Sequence, residues 1–170
     1  CIRDRTNPAG VKRQVIGVFS AELCRPIAEV AQALGAEQVM IVHSDDGLDE
    51  ISIADGTQVA ELRDGVIETY HLTPEEFGIE RRDLSGLSVT DSKASAKLIR
   101  AALGGSDDPA ADKARDIIAL NAGATIYVSG VASTLADGVA MAQELRASGQ
   151  AAEKLKSFVD FTQLMRGEHG

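Results

Sequence analysis

Apolar positions in the first quarter of the chain follow a strand, then a helix, then a strand pattern. Residues 14–19 form a short apolar run with β-branched side chains, which predicts a buried strand. Apolar residues then recur at helical spacing: Ile27, Val30, Ala31 and Leu34. Pro26 suits the first turn of that helix and Gly35 its end. Residues 39–42 predict a second buried strand, so the order indicates a right-handed unit with parallel strands.

The pattern changes between residues 51 and 72. Three short segments with β propensity follow one another: 51–53, 57–62 and 66–70. Asp55-Gly56 and Asp64-Gly65 separate them, and Asp-Gly between alternating segments is typical of hairpin turns. We therefore predict a small antiparallel meander. Residues 73–76 read Thr-Pro-Glu-Glu, a capping box with proline at the first helical position, so a short helical turn is expected there.

The second half of the chain has helical patterns. One helix is predicted from about residue 92 to residue 103, and another begins at Asp108-Pro109. The end of the second helix is ambiguous, because residues 125–128 would suit a strand. Ser133 is a candidate N-cap for a third helix that ends at Gly149. A last helix is expected to bury three residues: Leu155, Phe158 and Val159.

Composition limits the classes of function. A chain of 170 residues fits one domain, and its 44% hydrophobic and 25% charged residues are ordinary for a soluble globular protein. The net charge of −9 and the aromatic share of 4% argue against a nucleic-acid partner. No apolar window is long enough to span a membrane. Cys1 and Cys24 form neither a metal spacing nor a disulfide framework, which favours a reducing cytoplasm.

Four acids lie within six residues directly after the second predicted strand: Asp45, Asp46, Asp49 and Glu50. Two interpretations of this loop stay open. Asp-Asp-Gly is ordinary turn chemistry, which predicts a solvated acidic turn. Mg²⁺, however, prefers oxygen ligands and is often held by one or two carboxylates together with substrate phosphates. The loop follows a parallel strand at its carboxyl end, where open α/β sheets bind ligands, and this position favours a ligand site.

Four segments of the sequence carry a family resemblance. The segment 6–10, Thr-Asn-Pro-Ala-Gly, leads into the first strand. The other three segments are 46–50, Asp-Gly-Leu-Asp-Glu; 120–124, Leu-Asn-Ala-Gly-Ala; and 135–139, Leu-Ala-Asp-Gly-Val. By these segments the chain resembles anthranilate phosphoribosyltransferase from residue 6 to about residue 165, with a divergent start at residues 1–5. The resemblance implies an α/β fold, the C-terminal part of a nucleoside phosphorylase/phosphoribosyltransferase-like domain. Its parallel sheet has flanking helices and a small antiparallel meander, and residues 1–170 form a single partial domain.

The resemblance also implies a reaction and a metal site. Enzymes of this family transfer phosphoribosyl from phosphoribosyl pyrophosphate (PRPP) to anthranilate, releasing pyrophosphate, in tryptophan biosynthesis. By resemblance, Asp49 and Glu50 hold Mg²⁺ near the pyrophosphate. Asp45 and Asp46 receive no role and are expected in solvent.

Several family motifs are not found in the sequence. The family enzyme is about twice as long, and its N-terminal half carries a glycine-rich loop, a serine-rich phosphate loop and a Lys-His-Gly-Asn segment. Arg3-Asp4-Arg5 replaces the family's Gly-Pro-Leu. The start at Cys1, without a methionine, indicates a truncated chain more than a mature lipid-modified one. We therefore assign no catalytic or substrate-binding residues and expect a C-terminal fragment that is inactive alone.

The resemblance carries further expectations about partners and location. The family forms homodimers through a helical domain that is mostly missing here, and the cytoplasmic location expected from the two cysteines suits a biosynthetic enzyme of this kind. Two other functions stay open: a pyrimidine nucleoside phosphorylase-like enzyme, and a non-catalytic degenerate domain. An exposed sheet edge and exposed apolar surface would accompany the last of these.

The remaining chemically versatile residues receive structural interpretations. The resemblance places Asn121 within a helix, which overrules the strand alternative at residues 125–128, and predicts a buried, hydrogen-bonded amide. His43 is interpreted as a structural histidine, because no nearby nucleophile needs a base. His71 and His169 have no recognisable partner. Cys24 is interpreted as a small packing residue in the first helix.

Overall fold

The computed structural model describes residues 10–167. The predictions for residues 1–5, for residues 6–9 of the family-like segment and for His169 lie outside this range. In the described part, a mixed sheet is covered on one face by a single helix and on the other by the helices of the second half. None of the described helices has the length and apolar character needed to cross a membrane.

The sheet has four strands in the order in which they occur along the chain. They are β1 (Arg13–Gly17), β2 (Gln38–Ser44), β3 (Thr57–Arg63) and β4 (Val66–Leu72). The first two strands pair in parallel, as predicted, and the other neighbours pair antiparallel. The mixed sheet is thus the predicted parallel unit extended directly by the antiparallel strands.

The predicted meander is partly wrong. Residues 51–53 form no strand, and Asp55-Gly56 is not a hairpin turn. The reason is that backbone groups of this segment form hydrogen bonds with side chains instead of with a neighbouring strand. Ser52 N, for example, donates to Thr57 Oγ1 at 3.3 Å. The predicted hairpin turn at Asp64-Gly65 is confirmed. Asp64 has φ 51° and Gly65 φ 78°, which suits a tight hairpin between β3 and β4.

One helix, α1 (Cys24–Ala33), covers one face of the sheet. Ile27 and Ala28 are buried there, together with residues of β1, β2 and β3. Three apolar residues of these predicted elements are exposed instead of buried: Phe19 is 80% exposed, Leu34 69% and Val30 43%. Strand β1 lies at the edge of the sheet, and within residues 10–167 no strand pairs with its outer side.

The helices of the second half form a layer on the other face, and the longest of them makes the main contacts with the sheet. They are α2 (Ser92–Leu103), α3 (Pro109–Ser129), α4 (Leu135–Ala147) and α5 (Gln150–Gly167). Residues 125–128 are helical, so the strand alternative is wrong.

Two details of the last two helices correct the sequence predictions. Thr134, rather than Ser133, is the N-cap of α4, because its side-chain oxygen accepts from Asp137 N at 3.1 Å. In α5, Leu155 and Val159 are half-buried, whereas Phe158 is 63% exposed. Helix α5 lies at the outside of the helical layer, so it buries only part of the predicted apolar face.

Helices α3 and α4 approach each other at backbone distance. A Cβ on Gly123 would lie 2.6 Å from the Cα of Val139, and a Cβ on Gly138 would lie 2.3 Å from the carbonyl oxygen of Gly123. Only glycine fits at both positions. The core on this side includes Met40, Val42 and Leu120, which are buried between α3 and the sheet. Helix α3 therefore has a fixed position relative to the end of β2.

Candidate functional site

The acidic loop begins where β2 ends, at the carboxyl end of the parallel pair, as the sequence predicted. It turns back on the strand at once, since Ser44 N donates to Leu48 O and Gly47 N donates to Ser44 O, both at 2.9 Å. Gly47 has φ 94°, a conformation that glycine adopts without strain. Asp45 N donates to Gly56 O at 2.9 Å. Backbone hydrogen bonds therefore fix both the start of the loop and its contact with Gly56.

Asp46 fixes the turn from within. Its side chain is exposed, as expected, but its Oδ2 accepts from Ser52 Oγ at 2.5 Å and its Oδ1 from Leu48 N at 3.1 Å. Partial burial raises the pKa of Asp46, but hydrogen bonds from Ser52, Leu48 N–H and Ser44, together with the nearby His43, hold that pKa below its ordinary value. Asp46 is thus a scaffold of the loop rather than a freely solvated acid.

Asp45 pairs with His71 of β4, whose Nε2 lies 2.7 Å from Asp45 Oδ2. The expectation that His71 has no partner is therefore wrong. The ring also lies against Gly56, where an added Cβ would come within 1.9 Å of His71 Cε1. This pair connects the acidic loop to the edge of the sheet and leaves Asp49 and Glu50 as the loop's other two acids.

Gly17, the last residue of β1, lies directly under the second half of the loop. A Cβ at this position would be 1.6 Å from the carbonyl oxygen of Asp49. No other residue fits there unless the backbone of the loop shifts. Because the loop crosses the end of β1 at this point, Asp49 is brought over the carboxyl ends of both parallel strands.

Asn121 of α3 contacts the loop from the helical side. Its Oδ1 accepts from Ile51 N at 3.0 Å, and its Nδ2 donates to Ile51 O at 2.9 Å. The prediction that Asn121 is a hydrogen-bonded amide within a helix is confirmed, but the residue is half-buried rather than buried. Its partner is the backbone that follows directly after Glu50.

Asp49 and Glu50 are both exposed, and neither forms an ion pair with any residue from 10 to 167. Two adjacent carboxylates without a basic partner offer the hard oxygen donors that suit Mg²⁺. No group of three or more His, Cys, Asp or Glu side chains in the same part of the chain is arranged to hold a metal ion. The pair therefore fits a cation that keeps several waters and takes further oxygens from a bound phosphate.

An apolar cleft of about 610 Å³ opens beside the two acids. Its walls come from the loop that precedes α2 and from the facing sides of α2 and α3, including Leu84, Leu87, Ile99 and Ile117. The cleft places apolar surface next to the acids, so a ligand could have its charged part at Asp49 and Glu50 and a less polar part in the cleft.

Two other candidates have the structural roles that the sequence predicted. Nδ1 of His43 lies 2.8 Å from the carbonyl oxygen of Val18, which joins the ends of the parallel strands. Cys24 is buried, and burial raises the pKa of its thiol, so its thiolate is disfavoured. Neither residue lines the cleft beside Asp49 and Glu50.

A buried acid at the other end of the sheet was not predicted. Glu61 of β3 is 8% exposed and accepts hydrogen bonds from three side chains: Tyr70, Tyr127 and Gln38. The period of two along a strand places Glu61 on the same face as Val59, and that signal could have identified it. Gly17 gave no comparable signal, because its close contact is with residue 49.

Comparison with known proteins gives a consistent result. The sequence model described as glycosyl transferase family, a/b domain, matches residues 5–152. The chain is 57% identical over 161 residues to the anthranilate phosphoribosyltransferase of Cellvibrio japonicus, covering 95% of this chain and 47% of that protein. It is 59% identical over 158 residues to that of Marinobacter nauticus, covering 93% and 46% respectively. The chain thus spans about half the length of the curated relatives it matches.

Solved structures agree. The anthranilate phosphoribosyltransferase of Thermus thermophilus superposes with a TM-score of 0.79 at 39% identity, covering 93% of this chain and 45% of that one. The enzyme of Saccharomyces cerevisiae, solved in complex with PRPP and Mg, superposes with a TM-score of 0.74 at 27% identity, covering 87% and 42%. Both comparisons support the α/β fold predicted from the sequence.

Proposed function

The chain belongs to the glycosyl transferase family through its a/b domain, and from this premise we propose that it is the metal-holding portion of an anthranilate phosphoribosyltransferase. The reaction transfers phosphoribosyl from PRPP to the amino group of anthranilate and releases pyrophosphate. It is a step of tryptophan biosynthesis. The portion corresponds to the C-terminal part of the longer relatives.

One observation carries the proposal. Asp49 and Glu50 are exposed and have no ion-pair partner in the described residues. They lie on a loop that is held by hydrogen bonds over the carboxyl ends of two parallel strands. Ligands of open α/β sheets bind at this edge. A yeast relative with the same fold was solved with PRPP and Mg, which supports a phosphate-bound cation as the ligand of the pair.

The chemistry of the reaction explains why such a pair is needed. Loss of pyrophosphate leaves an electron-poor sugar carbon and places negative charge on the leaving group. A bound magnesium ion stabilises that charge on the phosphate oxygens. We propose that the side chains of Asp49 and Glu50 hold this cation. Asp46 and Gly17 keep the loop in place, and both acids line the cleft beside it.

The substrates and the metal are supported by relatives, whereas the location and the oligomeric state are supported only by the sequence. PRPP, anthranilate and Mg²⁺ are proposed for this chain because relatives carry the name of the reaction and one was solved with two of these ligands. The cytoplasmic location, the homodimer and the absence of a nucleic-acid partner stay predictions from the sequence. No feature of the geometry favours the pyrimidine nucleoside phosphorylase. The outer side of β1, which is unpaired within the described residues, and the exposed Phe19 would accompany a degenerate domain, but they are equally expected of one portion of a longer enzyme.

The test uses a chimera, because the chain covers about half of its relatives. The part of the Cellvibrio japonicus enzyme that this chain does not cover is fused to it, and consumption of anthranilate is measured with PRPP and Mg²⁺. We expect the chimera to be active and the chain alone to be inactive, since positioning of both substrates needs the rest of the site. Phosphate-dependent cleavage of thymidine is measured in parallel.

The matched control is the chimera with Asp49→Asn and Glu50→Gln, which preserves side-chain shape and removes both charges. We expect its activity to fall by on the order of 100-fold. Full activity of this double variant would refute the role of the pair. Cleavage of thymidine without use of PRPP would assign the chain to the phosphorylases instead.

A further inference from the structure

The backbone of Ile51 is paired with a side chain instead of a strand. Residues 51–53 belong to no strand, yet Ile51 is only 3% exposed, so its N–H and C=O groups need partners. Asn121 satisfies both groups, at 3.0 Å and 2.9 Å. Its amide therefore replaces one rung of a β-ladder, at the residue immediately after Glu50.

The amide of Asn121 is itself held in one orientation. Its Nδ2 also donates to Ile117 O at 2.9 Å, one turn earlier in α3. The helix cannot easily move away from the loop, because Gly123 packs against the backbone of α4 with no room for a Cβ. The orientation of the amide is thus set by the helix, and the helix is set by the core.

From this geometry we propose that Asn121 is a positioning residue for the Asp49–Glu50 pair. This inference rests on the proposed function, in which that pair holds a divalent cation. Glu50 lies between two fixed points: the carbonyl of Asp49, which lies against Gly17, and the backbone of Ile51, which is clamped by Asn121. The two points determine the direction in which the carboxylates leave the backbone.

The test separates positioning from a purely structural role. Asn121→Leu keeps a similar volume and removes both hydrogen bonds to Ile51. Asn121→Asp keeps an acceptor for Ile51 N but places an oxygen against the carbonyls of Ile51 and Ile117. Thr125→Val is the matched control, because Thr125 lies one turn further along α3 and its hydroxyl bonds only within the helix, to Asn121 O at 3.0 Å.

Two readouts are measured on the same chain: amide hydrogen exchange at Ile51 by NMR, and binding of Mn²⁺ by electron paramagnetic resonance, with and without pyrophosphate as the phosphate ligand. In both Asn121 variants we expect weaker Mn²⁺ binding by about 10- to 100-fold, the usual range for groups that orient metal ligands. Faster exchange at Ile51 is expected in Asn121→Leu. Thr125→Val should leave both readouts unchanged. Thermal unfolding of each variant shows whether it is folded.

The possible results have distinct meanings. Unchanged exchange at Ile51 in Asn121→Leu, or unchanged Mn²⁺ affinity in two folded Asn121 variants, would overturn the positioning role. If the wild-type chain binds no Mn²⁺ either with or without pyrophosphate, the proposed metal function fails. In that case, hydrogen exchange at Ile51 alone tests whether Asn121 holds the backbone of the loop. If Asn121→Leu does not fold, the affinity of Asn121→Asp decides.

Discussion

Strand β2 has acids near both of its ends, and their surroundings differ. At the carboxyl end, Asp49 and Glu50 are exposed and have no ion-pair partner among residues 10–167. Near the amino end, Glu61 lies opposite Met40 on the neighbouring strand and is buried. The same chemical group therefore occurs in two environments at opposite ends of one sheet.

Hydrogen-bond partners account for the difference. Glu61 Oε1 accepts from Tyr127 Oη at 2.7 Å and from Gln38 Nε2 at 3.3 Å, while Oε2 accepts from Tyr70 Oη at 2.7 Å. Arg63 Nη1 in turn donates to the hydroxyl of Tyr127 at 2.8 Å. Every oxygen of this acid is used within the protein, so its role is structural. The acids at the other end have oxygens left to bind a ligand.

The largest effect is expected at the buried end. We expect Glu61→Leu to lower the free energy of unfolding by about 3 kcal/mol, because each buried donor left without a partner costs about 1–3 kcal/mol. Urea unfolding measures this loss. The control Glu61→Gln keeps one acceptor oxygen and should lose less. A leucine variant as stable as the wild type would show that the network adds no net stability, since apolar replacement of buried polar groups is sometimes neutral.

A smaller effect is expected at alkaline pH. Burial, together with the hydrogen bond to Glu61, raises the pKa of Tyr70 and of Tyr127 above the ordinary value of about 10. Because the folded pKa is the higher one, this contribution to stability is complete below pH of about 10 and is lost as the pH rises above it. The chain has two tyrosines and no tryptophan, so phenolate absorbance reports on this network alone.

The titration has a direct control. In Glu61→Gln we expect both tyrosines to ionise at lower pH than in the wild type, because the neighbouring negative charge is gone. Wild-type tyrosines that ionise near pH of about 10 in the folded chain would contradict the buried network. Substitutions at Asp49 and Glu50 should leave the titration unchanged, which sharpens the contrast between the two ends.

The parts of the fold that depend on local patterns were predictable from the sequence. The strand, helix and strand of residues 13–44 follow from apolar spacing, and the position of the acidic loop follows from their parallel arrangement. The capping box at residues 73–76 is likewise present in the structure. Each of these features depends on residues that are close in sequence, or on the handedness rule for parallel strands.

The sequence predictions are wrong where the local structure depends on contacts with residues far away in the sequence. Residues 51–53 form no strand because Asn121, 70 positions away from Ile51, binds the backbone there. The need for glycine at position 17 could not be predicted, because it depends on the loop that crosses the end of β1. Phe19 and Phe158 were expected to be buried, but exposure depends on which element covers a side chain, and apolar spacing does not contain that information.

The smallest effect on stability is expected at the exposed end. Asp49→Asn with Glu50→Gln should leave the urea midpoint almost unchanged, because neither side chain has an ion-pair partner in the described residues to lose. Surface substitutions of this kind usually change the free energy of unfolding by no more than about 0.5 kcal/mol. Any change should be toward higher stability, since two adjacent like charges are removed from a chain of net charge −9. A clear loss of stability would show that the pair has structural partners, and the two ends of the sheet would then not differ in the way the geometry indicates.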